Sequence, residues 1–180
     1  MESALAWIGQ IADSLLSLFP KWEIVRANEA GVKFVRGKKA KLITPGLCPY
    51  WPAVTVIETT STAQKTINLE SQTLTTKDGK TVTISLVLVY RIVDAMKAIL
   101  GVDDVDESAS EVALKASVRV VTKNNFKDLL DNLSGTVETQ LRNECRKLLE
   151  PMGAEVLAAG ATEFAETTCF RLMQSGAAVD

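Results

Sequence analysis

Residues 76–92 read TKDGKTVTISLVLVYRI, and this stretch decides the class of fold. From Thr81 onwards successive side chains alternate between two faces, and one face is apolar throughout, which is the pattern of a β-strand with one buried side. That face must be covered by other parts of the chain. It carries Val82, Ile84, Leu86, Leu88, Tyr90 and Ile92.

An Asp-Gly pair stands just before this strand. Because Gly tolerates the positive φ that a type I′ turn needs, Asp78-Gly79 predicts a tight β-hairpin, with residues 72–76 as the partner strand. Further upstream, short apolar runs lie between Gly, Pro and Asn-Glu turn signals. They predict strands at residues 23–27, 31–36, 41–43, 54–59 and 66–69.

After Asp94 the hydrophobic period lengthens to three and four residues, which is typical of helices. The pattern predicts helices over residues 96–100, 108–122 and 136–149, and a late strand over 155–164. Strands followed by helices indicate an α+β fold, in which helices cover one face of a curved, mainly antiparallel sheet.

The N-terminal residues 4–19 read ALAWIGQIADSLLSLF and end at Pro20. A helix of this length rises about 24 Å, less than the hydrocarbon core of about 30 Å. Gln10 and Asp13 also interrupt the apolar surface, so residues 1–20 are predicted to form an amphipathic helix at the membrane interface, followed by one domain over 21–180. The expected membrane-contacting residues are Leu5, Trp7, Ile8, Ile11, Leu15, Leu16, Leu18, Phe19 and Trp22.

The flanks of this segment predict its orientation. Trp7 and Trp22 suit the headgroup level, while Lys21 and Arg26 favour the cytoplasmic side of the inner (plasma) membrane for the rest of the chain. The alternative is a helix that packs on the domain or on a neighbouring subunit. The protein would then be a soluble ring-forming structural or interaction module.

The amino-acid composition disfavours several classes of function. In 180 residues, 47% are hydrophobic and the formal net charge is only −2, which indicates a globular domain and disfavours nucleic acid as a partner. The chain has no His, the commonest general base and metal ligand. Cys48, Cys145 and Cys169 form no CxxC pair, so we expect reduced thiols and neither a disulfide framework nor a zinc site.

No stretch predicts a cofactor, a metal or a catalytic site. The acidic run at residues 103–107 does not have EF-hand spacing, and acidic residues together with Ser108 are better read as capping the helix that follows. The basic run at residues 36–41 fits a solvated hairpin tip, with contact to anionic lipid as the alternative. We therefore expect a protein that is not an enzyme, although a Ser or Thr nucleophile cannot be located from spacing alone.

Three ordered segments carry a family resemblance: NEAGVKFVRGK at 28–38, LITPGLCPYWP at 42–52 and SQTLTTKDGKTVTISLVLVYRIVD at 71–94. In this order they resemble the SPFH or band 7 domain of stomatins, prohibitins, flotillins and their bacterial relatives. The resemblance covers roughly residues 22–173. It rests on the order of the segments, since none of them is decisive alone.

The resemblance implies a non-enzymatic scaffold that is held at a membrane by its apolar N-terminus and assembles with copies of itself. Such proteins organise lipid microdomains and regulate membrane-bound proteases or channels. Family members usually continue into a long Ala- and Glu-rich helical region, whereas this sequence ends at Asp180 and looks like a short bacterial or phage form. Contacts between copies are then expected from the domain and the N-terminal helix.

Overall fold

A computed structural model describes residues 19–167. This part of the chain contains eight strands and four α-helices. The strands are β1 (Lys21–Val25), β2 (Glu29–Val35), β3 (Lys39–Ile43), β4 (Gly46–Tyr50), β5 (Thr55–Ser61), β6 (Lys65–Thr75), β7 (Thr81–Ile92) and β8 (Ala154–Glu166). The helices are α1 (Ala95–Gly101), α2 (Val105–Lys123), α3 (Phe126–Asp131) and α4 (Glu138–Leu149).

The strands form three antiparallel sheets. Their orders are β1-β4, β3-β2-β5 and β6-β7-β8. The α+β class and the mainly antiparallel pairing are therefore confirmed, but the sheet is divided into separate pieces. Register shifts beside Leu69 in β6 and at two points between β7 and β8 add bulges, which bend the largest sheet.

Helices cover one side of the β6-β7-β8 sheet. The six apolar side chains predicted to share a face of β7 are all buried, and they pack with residues of α2, α3 and α4 in one core. We call residues 62–167 the helix-covered part and residues 19–61, with the two smaller sheets, the small-sheet part. Lys33 links those two sheets, because its Nζ donates a hydrogen bond to the Pro49 carbonyl over 2.8 Å.

Several predicted elements are shorter or simpler than the real ones. The two strand candidates at 66–69 and 72–76 are one bulged strand, β6, and the helix predicted from 108 begins at Val105. The helix predicted from 136 begins as an α-helix at Glu138, after a π-helical turn over Leu133–Val137. Two elements, β4 and α3, were not predicted.

The hairpin between β6 and β7 is present, but its turn differs from the prediction. A type I′ turn needs positive φ at both central residues, and at Asp78-Gly79 only Gly79 (φ 80°) has it. The Asp78 carboxylate instead accepts hydrogen bonds from the Thr76 hydroxyl (2.5 Å) and from the backbone N–H of Phe126 (3.2 Å). The turn is therefore hydrogen-bonded to the start of α3. Both hydrogen bonds lower the pKa of Asp78, and the one from Thr76 has the larger effect.

The cap of α2 also differs from the prediction. Asp104 is the N-cap, and its side chain accepts hydrogen bonds from the backbone N–H groups of Asp106 (2.7 Å) and Glu107 (3.2 Å). Ser108 lies inside the helix and is not a cap. The expectation that the acidic run serves the helix N-terminus is thus correct, and the role given to Ser108 is wrong.

Candidate functional site

The two-stranded sheet of β1 and β4 turns an apolar face outward. Trp22 lies opposite Pro49, and Ile24 lies opposite Leu47. Cross-strand partners share a face, and so do alternate residues of one strand, so these four side chains form a single surface, which we call the apolar ribbon face. Trp22, Ile24 and Leu47 are 64%, 70% and 60% exposed. Nothing in residues 19–167 covers them.

Other large apolar side chains are exposed close by in the chain. Phe19 immediately precedes the ribbon, Trp51 immediately follows it, and Leu42 and Val56 lie on one face of the β3-β2-β5 sheet. Of the twelve large hydrophobic residues that are exposed within residues 19–167, eight belong to the small-sheet part. A soluble monomer rarely concentrates so much apolar surface, and such patches usually mark a protein or membrane contact.

Charge is divided between the same two parts. The small-sheet part carries seven Lys and Arg and three Glu, a formal charge of +4. The helix-covered part carries twelve Lys and Arg and sixteen Asp and Glu, a formal charge of −4. The near-neutral total therefore conceals a basic, apolar end and an acidic remainder.

The basic run at residues 36–41 lies in the small-sheet part, at the tip of the β2-β3 hairpin. Arg36 and Gly37 both have positive φ, 53° and 64°, so the type I′ turn occurs here. The backbone N–H of Lys38 donates to the carbonyl of Val35 over 3.2 Å and closes the turn. Arg36, Lys38, Lys39 and Lys41 are exposed, as the prediction of a solvated hairpin tip requires.

The predicted membrane-contacting residues fall into two groups. Phe19 and Trp22 are described and are each 64% exposed, Phe19 in a bend before β1 and Trp22 within it. The remaining seven lie outside the described residues, as does the predicted N-terminal helix: Leu5, Trp7, Ile8, Ile11, Leu15, Leu16 and Leu18. Within residues 19–167, no helix is both long and apolar enough to cross a bilayer.

Ile24, Leu47 and Trp51 were not predicted from the sequence. Pro45-Gly46 and Pro52 were interpreted as turn signals, so neither the strand between them nor its pairing with β1 was predicted. Pro is tolerated in an edge strand, so Pro49 does not exclude β4, but the five residues of this strand show no alternation that would have predicted it.

Polar contacts around Asp106 join the strands of the helix-covered part to α2. Tyr90 and Lys65 both donate hydrogen bonds to the Asp106 carboxylate, with Lys65 at 2.8 Å, and so join β7 and β6 to α2. Burial raises the pKa of Tyr90, and its bond to Asp106 raises it further. For Asp106, burial acts in the raising direction, but the contacts with Lys65 and Tyr90 outweigh it and lower the pKa.

These groups do not form a nucleophile or metal site. Burial raises the pKa of the Cys145 thiol to about 12, so it remains protonated and unreactive, while Cys48 is a half-buried free thiol in β4. Among the side chains of residues 19–167, no cluster of three or more potential ligands could hold a metal ion. The exposed apolar surface is therefore the main candidate functional feature.

Comparison with known protein families agrees with this architecture. The sequence model of the SPFH domain / Band 7 family matches residues 23–165. The chain belongs to this family. The matched residues include Ile24, Leu47 and Pro49 of the apolar ribbon face and residues 62–165 of the helix-covered part. Proteins of the family are in general membrane-associated scaffolds and not enzymes.

Two archaeal relatives carry no functional description. An uncharacterized protein of Archaeoglobus fulgidus is 26% identical over 152 residues, which are 84% of this chain and 61% of that protein. An uncharacterized protein of Methanothermobacter thermautotrophicus is 24% identical over 143 residues, which are 79% of this chain and 45% of that protein. The SPFH chain described here thus spans about half of the length of these relatives.

Proposed function

We propose that this SPFH protein is a membrane-associated scaffold whose small-sheet part contacts the lipid surface. The observation that carries the proposal is the coincidence of two properties in the small-sheet part. The part that exposes Trp22, Ile24 and Leu47 also has a formal charge of +4. Exposed apolar side chains together with basic residues favour contact with an anionic bilayer.

The energetics of this contact are favourable. Fully burying a large aliphatic or aromatic side chain stabilises the bound state by about 1.5–3 kcal/mol, and each Lys or Arg near an anionic surface adds about 1 kcal/mol. The three most exposed side chains of the apolar ribbon face and the hairpin tip together supply several such contributions. The acidic helix-covered part would be repelled by the same lipids and would point away from them.

The N-terminal segment adds a second contact to this proposal. Its apolar residues, with Leu15 and Leu16 in its second half, enter the interface directly before Phe19 and Trp22. Two weak contacts on one molecule reinforce each other, and assembly into a homo-oligomer would multiply them. Replacing both Leu15 and Leu16 with Asp is expected to release the protein into the soluble fraction.

Membership of the family supports a more specific proposal. A scaffold of this kind would lie on the cytoplasmic face of the inner (plasma) membrane, associate with copies of itself, organise a membrane microdomain and regulate clients such as membrane proteases or channels. Anionic lipid is concentrated in the cytoplasmic leaflet, which agrees with the charge of the small-sheet part. The acidic helix-covered part would be the surface available to clients.

The test is flotation of the full chain with vesicles that contain anionic lipid. Ile24→Glu with Leu47→Glu places two carboxylates on the apolar ribbon face and is expected to reduce the floating fraction by on the order of tenfold. The matched control is Val118→Glu with Leu130→Glu, because both residues are exposed but lie in the helix-covered part. The control should float like the unmodified protein.

The outcomes separate the two functions. Equal flotation of the ribbon variant and the control would contradict contact through the small-sheet part. If the unmodified chain does not float but still assembles, the protein is a soluble ring-forming module, and its N-terminal helix packs on protein. Circular dichroism of each variant establishes that it is folded before flotation is compared.

A further inference from the structure

The exposed side of α2 changes sign along its length. Glu107 and Glu111 lie in its first half, whereas Arg119 and Lys123 lie in its last two turns, and all four side chains are exposed. Twelve residues separate Glu107 from Arg119, a distance of about 18 Å along a straight helix. These charges complement the helix dipole, but they also leave two oppositely charged surfaces at its two ends.

The positive surface is a groove between α2 and α4, with a volume of about 330 Å³. We call it the basic groove; its polar lining comprises Arg119, Lys123, Asn124, Gln140, Asn143, Glu144 and Lys147. Glu144 is the single carboxylate among three cations. Its carboxylate oxygens lie 3.3 Å from Lys147 Nζ and 3.3 Å from Arg119 Nη1. Both contacts lower the pKa of Glu144, and the contact with Lys147 has the larger effect. The groove keeps a formal charge of +2.

The negative surface lies at the opposite end of α2, where this helix follows α1. We call it the acidic corner; its carboxylates are those of Asp103, Asp104, Glu107 and Glu111. Its formal charge is −4. Leu100, which is 56% exposed, lines the same depression and supplies an apolar contact.

We propose that the basic groove of one copy binds the acidic corner of a second copy. This inference rests on the proposed function, because it names the contact through which the scaffold assembles. The two surfaces are complementary in sign and lie at opposite ends of α2, so they cannot meet within a chain. Contact between different surfaces of identical subunits is head-to-tail, and it continues until a ring closes or a filament forms.

Zero-length cross-linking of carboxylates to amines tests the contact directly. Equal amounts of isotope-labelled and unlabelled full-length protein are mixed on vesicles, cross-linked and analysed by mass spectrometry. We expect labelled-to-unlabelled links that join Glu107 or Glu111 to Lys123 or Lys147. About 18 Å of helix separates Glu111 from Lys123, so such a link cannot form within one chain. The absence of these links would overturn the proposal.

Charge reversal gives a second, independent test. Glu107→Lys with Glu111→Lys, and separately Arg119→Glu with Lys123→Glu, are each expected to reduce the links between copies by on the order of tenfold. A mixture of the two variants again places opposite charges at the substituted positions of every contact. It should recover part of the assembly, because the first double substitution brings the formal charge of the acidic corner to 0 without reversing it. Failure of the mixture to recover, with both variants folded, would contradict the proposed pairing.

A matched control carries two reversals away from both surfaces. Glu70→Lys with Arg142→Glu changes two exposed residues of the helix-covered part and should leave the assembly unchanged. Salt provides a further check, because at about 1 M the screening length falls to about 3 Å and an exposed ionic contact weakens. An assembly that is equally stable in high salt would argue against this contact.

Flotation in the same samples separates this inference from the membrane proposal. If the protein floats but gives none of the predicted links, the membrane contact stands and the head-to-tail contact fails. If the links form in a protein that does not float, the contact between copies stands and the membrane proposal fails.

Discussion

The small-sheet part and the helix-covered part differ in how many of their apolar side chains they bury. Of 25 hydrophobic residues that are buried within residues 19–167, only Val25 and Val32 belong to the small-sheet part. The helix-covered part places its apolar residues between a sheet and three helices. The small-sheet part leaves most of its own exposed. One part therefore has a core of its own, whereas the other exposes apolar surface of the kind that usually marks a contact with a protein or a membrane.

The largest loss of stability is expected from a substitution at Gly153, which links α4 to β8. Its φ is 79°, and an added Cβ would lie 2.3 Å from the carbonyl oxygen of Asp94. The Gly153 carbonyl also accepts hydrogen bonds from the N–H groups of Val93 (2.9 Å) and Asp94 (3.0 Å). Gly153→Ala combines backbone strain with a clash against backbone, so we expect it to destabilise the helix-covered part by about 4 kcal/mol.

Thermal unfolding measures this loss. The control is Gly101→Ala, because Gly101 has open space around its Cβ position and no positive φ. It should unfold within a few degrees of the unmodified protein. Similar unfolding temperatures for the two variants would show that the junction at Gly153 is not the tight contact described here.

A cavity in the core should have the next largest effect. Leu88 is fully buried at the centre of β7, and Leu88→Ala is expected to lower the free energy of unfolding by about 3 kcal/mol. Denaturant unfolding followed by far-ultraviolet circular dichroism gives this value. A loss below about 1 kcal/mol would mean that the helix-covered part does not depend on the β7 face.

The Asp106 contacts should contribute less. Asp106→Asn removes the charge that Lys65 and Tyr90 contact, and because the carboxylate is partly exposed we expect a loss of about 1 kcal/mol. The folded pKa of Asp106 is lowered from its ordinary value of 3.8, so its contribution is present above that value and is lost as pH falls through the folded pKa. Unfolding measured from neutral pH to below pH 3.8 should therefore show a smaller difference between the two proteins in acid. A constant difference would contradict this assignment.

The smallest effect is expected at the apolar ribbon face. Ile24 is 70% exposed, so Ile24→Ala should change the free energy of unfolding in solution by no more than about 0.5 kcal/mol, although the side chain is as large as Leu88. Denaturant unfolding of the two alanine variants, compared under identical conditions, gives the ratio of their effects. If Ile24→Ala is as destabilising as Leu88→Ala, the small-sheet part has a core of its own and the comparison fails.

The sequence predicted the helix-covered part better than the small-sheet part for a physical reason. Strand β7 and helices α2 and α4 each carry a long hydrophobic pattern, and such a pattern reports the buried face of one element. The strands of the small-sheet part have five to seven residues, and β4 contains Pro49. A short strand with little buried surface has no clear pattern, so β4 and the exposed face that it forms with β1 were not predicted.

The candidate site was accordingly predicted only at its margin. Phe19 and Trp22 were singled out because aromatic residues beside an apolar segment suit a membrane interface, and both are exposed. Ile24 and Leu47 were not, because Ile looks like a core residue when its strand partner is unknown. Exposure depends on what packs above a side chain, and residue type alone does not report that.

By itself the sequence determined the α+β class, the hairpin before β7, its buried face and the family. These properties depend on local turn chemistry and on periods of two and about 3.6 residues within single elements. The tertiary structure alone decided that the strands divide into three sheets, that Asp78 holds the start of α3 and that Asp106 joins Tyr90 to Lys65. It also decided that β1 and β4 pair and leave the apolar ribbon face uncovered within residues 19–167. These features require residues distant in sequence to meet, and pairing between distant strands and helices is set by packing of the whole chain.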